Sequence, residues 1–188
     1  MKLATLCFLL LALAQIAVPL RMIQHRETVL REGTLYRFKT QPIDPADPFQ
    51  GRYVWLSIER DTILMPRNQS EGPRYYDHGF ASIAVNENGY AYFDQWLTER
   101  PAHSDYLATR SRGWSPLDDN QSEIEVRIEI PFDRFYMDEA KAPRAEVIAR
   151  ESSRDKTCWV EVRILNGSAV IEDVVVEGLS LRELAAEE

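Results

Sequence analysis

The run Ile124-Glu-Val-Arg-Ile-Glu-Ile130 alternates aliphatic and charged residues without a fault. Successive side chains of a β-strand point to opposite faces, so this order puts four aliphatics on one face and three charges on the other, one face buried and one wet. Leu35-Tyr-Arg-Phe-Lys-Thr40 repeats the alternation, and Tyr53-Val-Trp-Leu-Ser-Ile58 is a denser run with Tyr53, Trp55 and Ser57 on one face and Val54, Leu56 and Ile58 on the other. Two hairpins are expected. One joins Phe80-Ala-Ser-Ile-Ala-Val85 to Tyr90-Ala-Tyr-Phe93 through Asn86-Glu-Asn-Gly89, and the other joins residues 158–165 to 169–176 through Asn166-Gly167. Asn-Gly marks both turns because the two residues tolerate positive φ. The domain therefore reads as mainly β, a barrel or a sandwich.

Residues 65–78 and 98–121 hold Pro, Gly, Ser, Asn, Asp and Arg with little periodicity, and are expected to be long connections. Residues 139–150 are rich in Ala, Glu, Lys and Arg, which predicts a short helix with Asp138 as its N-cap and a continuous part starting at or just before Pro143. A helical turn closes the chain over residues 181–188.

The amino terminus has a different character. After Lys2 come 18 residues without a charge, ending at Leu20. At 1.5 Å per helical residue they cover about 27 Å, close to a bilayer's hydrocarbon thickness, whereas a secretory apolar region is usually about 7 to 15 residues long. The apolar pattern continues through Ile16, Leu20, Ile23 and Leu30, so one helix is expected as far as Gly33, kinked at Pro19 and ended by a left-handed glycine. Ala12-Leu13-Ala14 also fits a small-x-small cleavage site, which would make the segment a removable signal. The reading is a retained anchor over residues 1–33 followed by one domain over 34–188. Arg21, Arg26, Arg31 and Arg37 beyond the span favour a cytoplasmic domain by the positive-inside rule. The short basic start before a Leu/Ala-rich stretch resembles an export signal instead, and the expectation follows it: a single-pass protein of the cell membrane with its domain on the outer side.

The whole chain has 22 Lys and Arg against 30 Asp and Glu; setting Lys2 aside leaves 21 against 30, a balance of −9. With no basic run, nucleic acid is not expected as a partner. Cys7 lies in the apolar stretch and Cys158 is alone in the domain, so no disulfide staples it, and Cys158 is expected in the core. His103-Ser104-Asp105 has the residue types of a hydrolytic triad, but sequence neighbours cannot stack as nucleophile, base and orienter. His25, His78 and His103 are scattered without metal-ligand spacing, and no calcium loop or glycine-rich phosphate loop occurs. No catalytic residue, metal or cofactor is expected. Of the four tryptophans, Trp96 and Trp114 sit next to loops and are expected to be the more exposed pair, with Trp55 and Trp159 as core anchors.

Pro42-Ile-Asp-Pro-Ala-Asp-Pro-Phe-Gln-Gly-Arg-Tyr-Val-Trp-Leu-Ser-Ile58 resembles the signature of the GDYXXLXY family, Gly-Asp-Tyr-x-x-Leu-x-Tyr. Gly51, Tyr53 and Leu56 match its Gly, Tyr and Leu; Arg52 replaces the Asp and Ile58 the final Tyr. An N-terminal apolar segment, the Pro-Ile-Asp-Pro approach, Phe135-Tyr-Met-Asp138 and a closing hairpin extend the resemblance over most of the chain. It implies a membrane-anchored protein often found beside multi-pass membrane proteins, with no reaction attached. The three prolines make the approach an extended, stiff loop in which Asp44 and Asp47 act as turn formers and Gly51 eases strand entry. As a binding surface, Asp44, Asp47 and Arg52 would edge a groove walled by Tyr53 and Trp55. The expected function is a non-enzymatic accessory or interaction module, with the bilayer and a multi-pass membrane protein as partners. The alternatives are a membrane-tethered hydrolase, which needs His78 or His103 in a pocket with a serine and a carboxylate, and a small-ligand carrier, which needs an apolar cavity.

Overall fold

The computed structural model describes residues 2–41, 53–66, 72–103, 105–117, 122–138, 141–154 and 157–186. In chain order these form α1 (Lys2–Glu32), β1 (Thr34–Gln41), β2 (Tyr53–Trp55), β3 (Ser57–Ile58), β4 (Thr62–Pro66), β5 (His78–Val85), β6 (Ala91–Leu97), β7 (Tyr106–Pro116), β8 (Glu123–Ile128), β9 (Arg134–Tyr136), α2 (Ala142–Arg154), β10 (Cys158–Leu165), β11 (Ser168–Val176), β12 (Leu179–Ser180) and α3 (Leu181–Leu184). The domain is mainly β, with pairings between named strands antiparallel throughout.

One sheet runs β12-β11-β10-β1-β3, a second runs β4-β8-β7-β5-β6, and β2 and β9 form a ribbon of two. The edge strands β4 and β6 of the second sheet come into contact with each other, so that sheet curls into a nearly closed barrel. Period-two burial drives the arrangement. In β10 the alternating Cys158, Val160, Val162 and Ile164 are buried, and in β8 Ile124, Val126 and Ile128 are, while Arg127 faces water. Both sheets feed one core, where Phe38 of β1 meets Phe93 of β6 at 5.3 Å and Phe132 at 5.5 Å between ring centroids.

The hairpins form as expected but by different turns. Asn166 and Gly167 both take positive φ, 51° and 83°, and Leu165 pairs directly with Ser168, a two-residue loop. At the other hairpin Val85 pairs with Ala91, only Gly89 has positive φ, and the loop is closed by Gly89 N–H donating to the Asn86 carbonyl. Asn86 Oδ1 accepts from the Asn88 and Tyr90 amides, so this side chain replaces the expected second left-handed residue.

Four expectations need correction. The stretch 98–121, read as a connection, contains β7, an 11-residue strand between β8 and β5. Its inward positions include Thr109 and Ser111 rather than aliphatics: Thr109 donates to the Glu129 carbonyl, and Ser111 Oγ accepts from Gly113 N–H. Buried hydroxyls with partners fold like apolar residues and do not look like them. The stretch 65–78 likewise begins inside β4. Helix α2 starts at Ala142 with Pro143 in its first turn, as expected, but this puts Asp138 too early to be the N-cap; its carbonyl accepts from Lys141 instead. Helix α1 does stop at Gly33, though not by a left-handed turn. A Cβ there would stand 2.5 Å from the Val29 carbonyl oxygen and 3.1 Å from Ile164 backbone atoms, so Gly33 is the point where the helix end lies directly on β10.

Because backbone, not a yielding side chain, blocks that space, Gly33→Ala is expected to lower stability by about 1–3 kcal/mol. Thermal unfolding of the two proteins in the same detergent measures it; an unchanged midpoint would mean that the helix end lifts off β10 at no cost.

Tyr36 of β1 donates its hydroxyl to Asp105 Oδ2 at 2.7 Å, and the Asp105 carbonyl accepts from Ile83 N–H, so this carboxylate residue ties one sheet to the other. Burial first, then the Asp105 bond, raises the Tyr36 phenol well above its usual range. A raised folded-state pKa contributes stability that is complete below the unfolded value, about 10, and is lost as pH climbs through the folded one. Tyr36→Phe is expected to cost about 1 kcal/mol at neutral pH and to flatten the decline above pH 10. Urea midpoints across an alkaline series read both effects.

Candidate functional site

The strand carrying the motif changes partners at Leu56. Before it, β2 pairs with β9 in the register Tyr53 to Tyr136, Val54 to Phe135 and Trp55 to Arg134; after it, β3 pairs with β1, Ile58 opposite Thr40. Leu56 belongs to neither strand. Its N–H donates to the Asp133 carbonyl at 2.8 Å and its side chain is buried in the core, as is Ile58, on the face expected for both. The two segments that resemble the family pattern, Tyr53 onward and Phe135 onward, are therefore neighbours in one ribbon. Asp44, Asp47, Gly51 and Arg52 lie outside the described residues, and Tyr53 and Trp55 are located by the backbone of β2.

Beside the ribbon is a cleft of about 330 Å³ between α1, β9, β11 and α3. Arg26 of α1, Arg134 and Tyr136 of β9, and Arg182 of α3 line it above Phe132, Phe135 and Ile171. Phe132 and Phe135 are buried, and the Arg182 guanidinium lies 4.6 Å from the centre of the Phe135 ring while donating to the Glu172 carbonyl at 3.4 Å. Asp133 brings one carboxylate, 3.7 Å from Arg134 Nε. Three guanidiniums against one carboxylate leave the cleft cationic on an acidic chain. Arg26 reads in the sequence as a flank of the apolar run and Tyr136 only as part of Phe135-Tyr-Met-Asp138, while Arg134 and Arg182 lie far from both in the chain and carry no shared spacing.

A second groove, of about 700 Å³, brings His78 together with Thr98, Thr109, Arg110 and Glu129. It holds the histidine and the carboxylate that a hydrolase needs, but among the described residues no serine lines it, and the Thr109 hydroxyl is committed to the Glu129 backbone carbonyl. Among the described residues, no side-chain hydrogen bond links His78 to Thr109 or Glu129. His103 is exposed, and Asp105 next to it is occupied by Tyr36. No three His, Cys, Asp or Glu side chains converge among the described residues. Cys158 is buried in the core, as expected. Trp96 and Trp114, expected to be exposed, are half-buried against it: a Cβ on Gly79 or Gly72 would stand 2.3 Å or 2.6 Å from their rings. Those two glycines make room for the indoles, which the loop positions concealed.

A family model described as GDYXXLXY protein matches residues 15–174. The chain belongs to the GDYXXLXY family. No curated protein and no solved structure matches it. The matched span begins inside α1 and ends inside β11, so it takes in the C-terminal half of the helix, the motif ribbon and the cleft apart from Arg182. Of the GDYXXLXY motif residues, Leu56 has a physical role that the packing explains: it plugs the core where the chain leaves the ribbon for the sheet. Leu56→Ala is expected to cost about 2–5 kcal/mol, the range for emptying a buried leucine site. Chemical denaturation checks it, and a loss below 1 kcal/mol would mean that the switch point collapses around the gap.

Proposed function

We propose that this GDYXXLXY protein is a single-pass, membrane-anchored, non-enzymatic interaction module whose β domain stands on the outer side of the cell membrane and docks a multi-pass membrane protein. The surface of α1 carries the proposal. Within Thr5–Glu32 an 18-residue stretch reaches a mean hydropathy of 2.2 with none of that stretch buried, and Leu6, Phe8, Leu9, Leu11, Leu13, Ile16, Val18 and Leu20 are each more than half exposed. So large a contiguous apolar surface is covered by something, and this helix is long and apolar enough to cross a bilayer. Only its last turns touch the domain: Val29 is fully buried and His25 Nε2 lies 3.0 Å from Ser168 Oγ.

The export-like start supports the outer side, and the three prolines that precede β2 in the sequence support docking, since proline restricts the free chain and lowers the entropy lost on binding. Resistance to alkaline carbonate extraction is expected, with alkaline phosphatase fused after Glu188 active and green fluorescent protein dark. Recovery of a soluble chain starting at Gln15 would refute the anchor, and the reverse reporter result the sidedness. Asp47→Ala with Arg52→Ala is expected to leave circular dichroism unchanged while weakening co-purification of a membrane neighbour from mild detergent.

A further inference from the structure

The cationic cleft has a defined height along α1. Arg26 lies about 9 Å beyond Leu20 and about 4.5 Å beyond Ile23 at the α-helical rise per residue. The polar layer on each side of a bilayer's hydrocarbon is roughly 5–8 Å thick. With α1 across a membrane and Ile23 at the edge of the hydrocarbon, Arg26 falls in the headgroup layer and brings the cleft with it.

The cleft is built against the charge of the chain. Arg134 has Asp133 nearby, but among the described residues the Arg26 side chain makes no hydrogen bond or ion pair, and Arg182 meets only a carbonyl and the face of Phe135. Below them, Phe132, Phe135 and Ile171 form an apolar floor. A cationic rim over an apolar floor complements a molecule that joins an anionic phosphate to esterified acyl chains. Guanidinium forks suit phosphate oxygens better than a point charge does.

We infer that this cleft binds the headgroup of an anionic phospholipid from the leaflet on the domain's side, with Arg26 and Arg182 on the phosphate and Phe132 and Ile171 against the glycerol-ester region. The inference rests on the proposed anchoring of α1. The full chain is placed in nanodiscs made from an equal mixture of phosphatidylcholine and phosphatidylglycerol, transferred to detergent, and the retained lipid counted by native mass spectrometry. Phosphatidylglycerol is expected to be retained in preference. Arg26→Gln, at an exposed helix position, is expected to reduce that retention about tenfold without altering circular dichroism, and Arg60→Gln, the same charge change outside the cleft, to leave it intact. Equal losses from both variants would mean diffuse attraction and overturn the site, as would equal retention of the two lipids by the wild type. Inorganic phosphate that binds the delipidated chain as tightly as phosphatidylglycerol would make free phosphate the ligand and overturn the lipid. A chain that does not enter nanodiscs overturns the anchoring and this inference together, whereas one that enters and retains both lipids equally overturns the inference alone.

Discussion

The Arg163 guanidinium reaches from β10 in two directions. Nη1 donates to the Gly33 carbonyl at 3.1 Å, just past the end of α1, and Nε and Nη2 donate to the Glu172 carboxylate at 2.6 Å and 3.4 Å. Glu172 is the extra residue of a bulge, because Glu161 pairs with Asp173 and Val162 already with Ile171. One side chain thus joins the helix terminus to the irregular point of β11, and Ala169, Val170 and Ile171, which line the cleft, come directly before that point. The pair is partly exposed and screened by solvent, so its own contribution to stability is small. Its weight is geometric: it sets where the helix, the last hairpin and the cleft stand relative to one another.

Most of the β architecture was legible because one face of each strand meets the core and the other meets water. Residues 124–128 and 158–165 declare this by alternation alone. Alternation fails at β7, where Thr109 and Ser111 occupy inward positions and Arg110 and Arg112 alternate with them, so a central strand that pairs with β5 over its first part and with β8 over its second has the composition of a loop. Hydropathy is blind to a hydroxyl that is satisfied by a carbonyl or an amide across the fold. Gly33 shows the complementary failure. A glycine at a helix end suggests a left-handed cap, yet here it answers to a neighbour more than 100 positions away, Ile164, which local sequence does not contain.

The candidate site divides in the same way. Leu56 and Ile58 were legible as core-facing residues, and the resemblance of two separate segments to one family pattern hinted that they belong together; the ribbon is the physical form of that hint. The arginines of the cleft were not legible as a group. Arg26 comes from the first element, Arg134 from a three-residue strand and Arg182 from a helix of four, and only the folded chain brings them to one cleft. Nothing in a linear reading distinguishes them from the other basic residues of the chain.

The passage from α1 to β1 through the single residue Gly33 removes any swivel between helix and sheet. Each helical residue turns the axis by about 100°, so the number of residues between Leu20 and Val29 acts as an angular index. It decides which flank of the β domain faces along the plane in which the apolar run lies, and which faces away. One residue inserted between Leu20 and Gln24, ahead of His25 and Arg26, would leave every contact inside the domain untouched, rotate the domain by about a quarter turn and raise it by about 1.5 Å. Two such proteins with identical domains would then show different sides to the same neighbour.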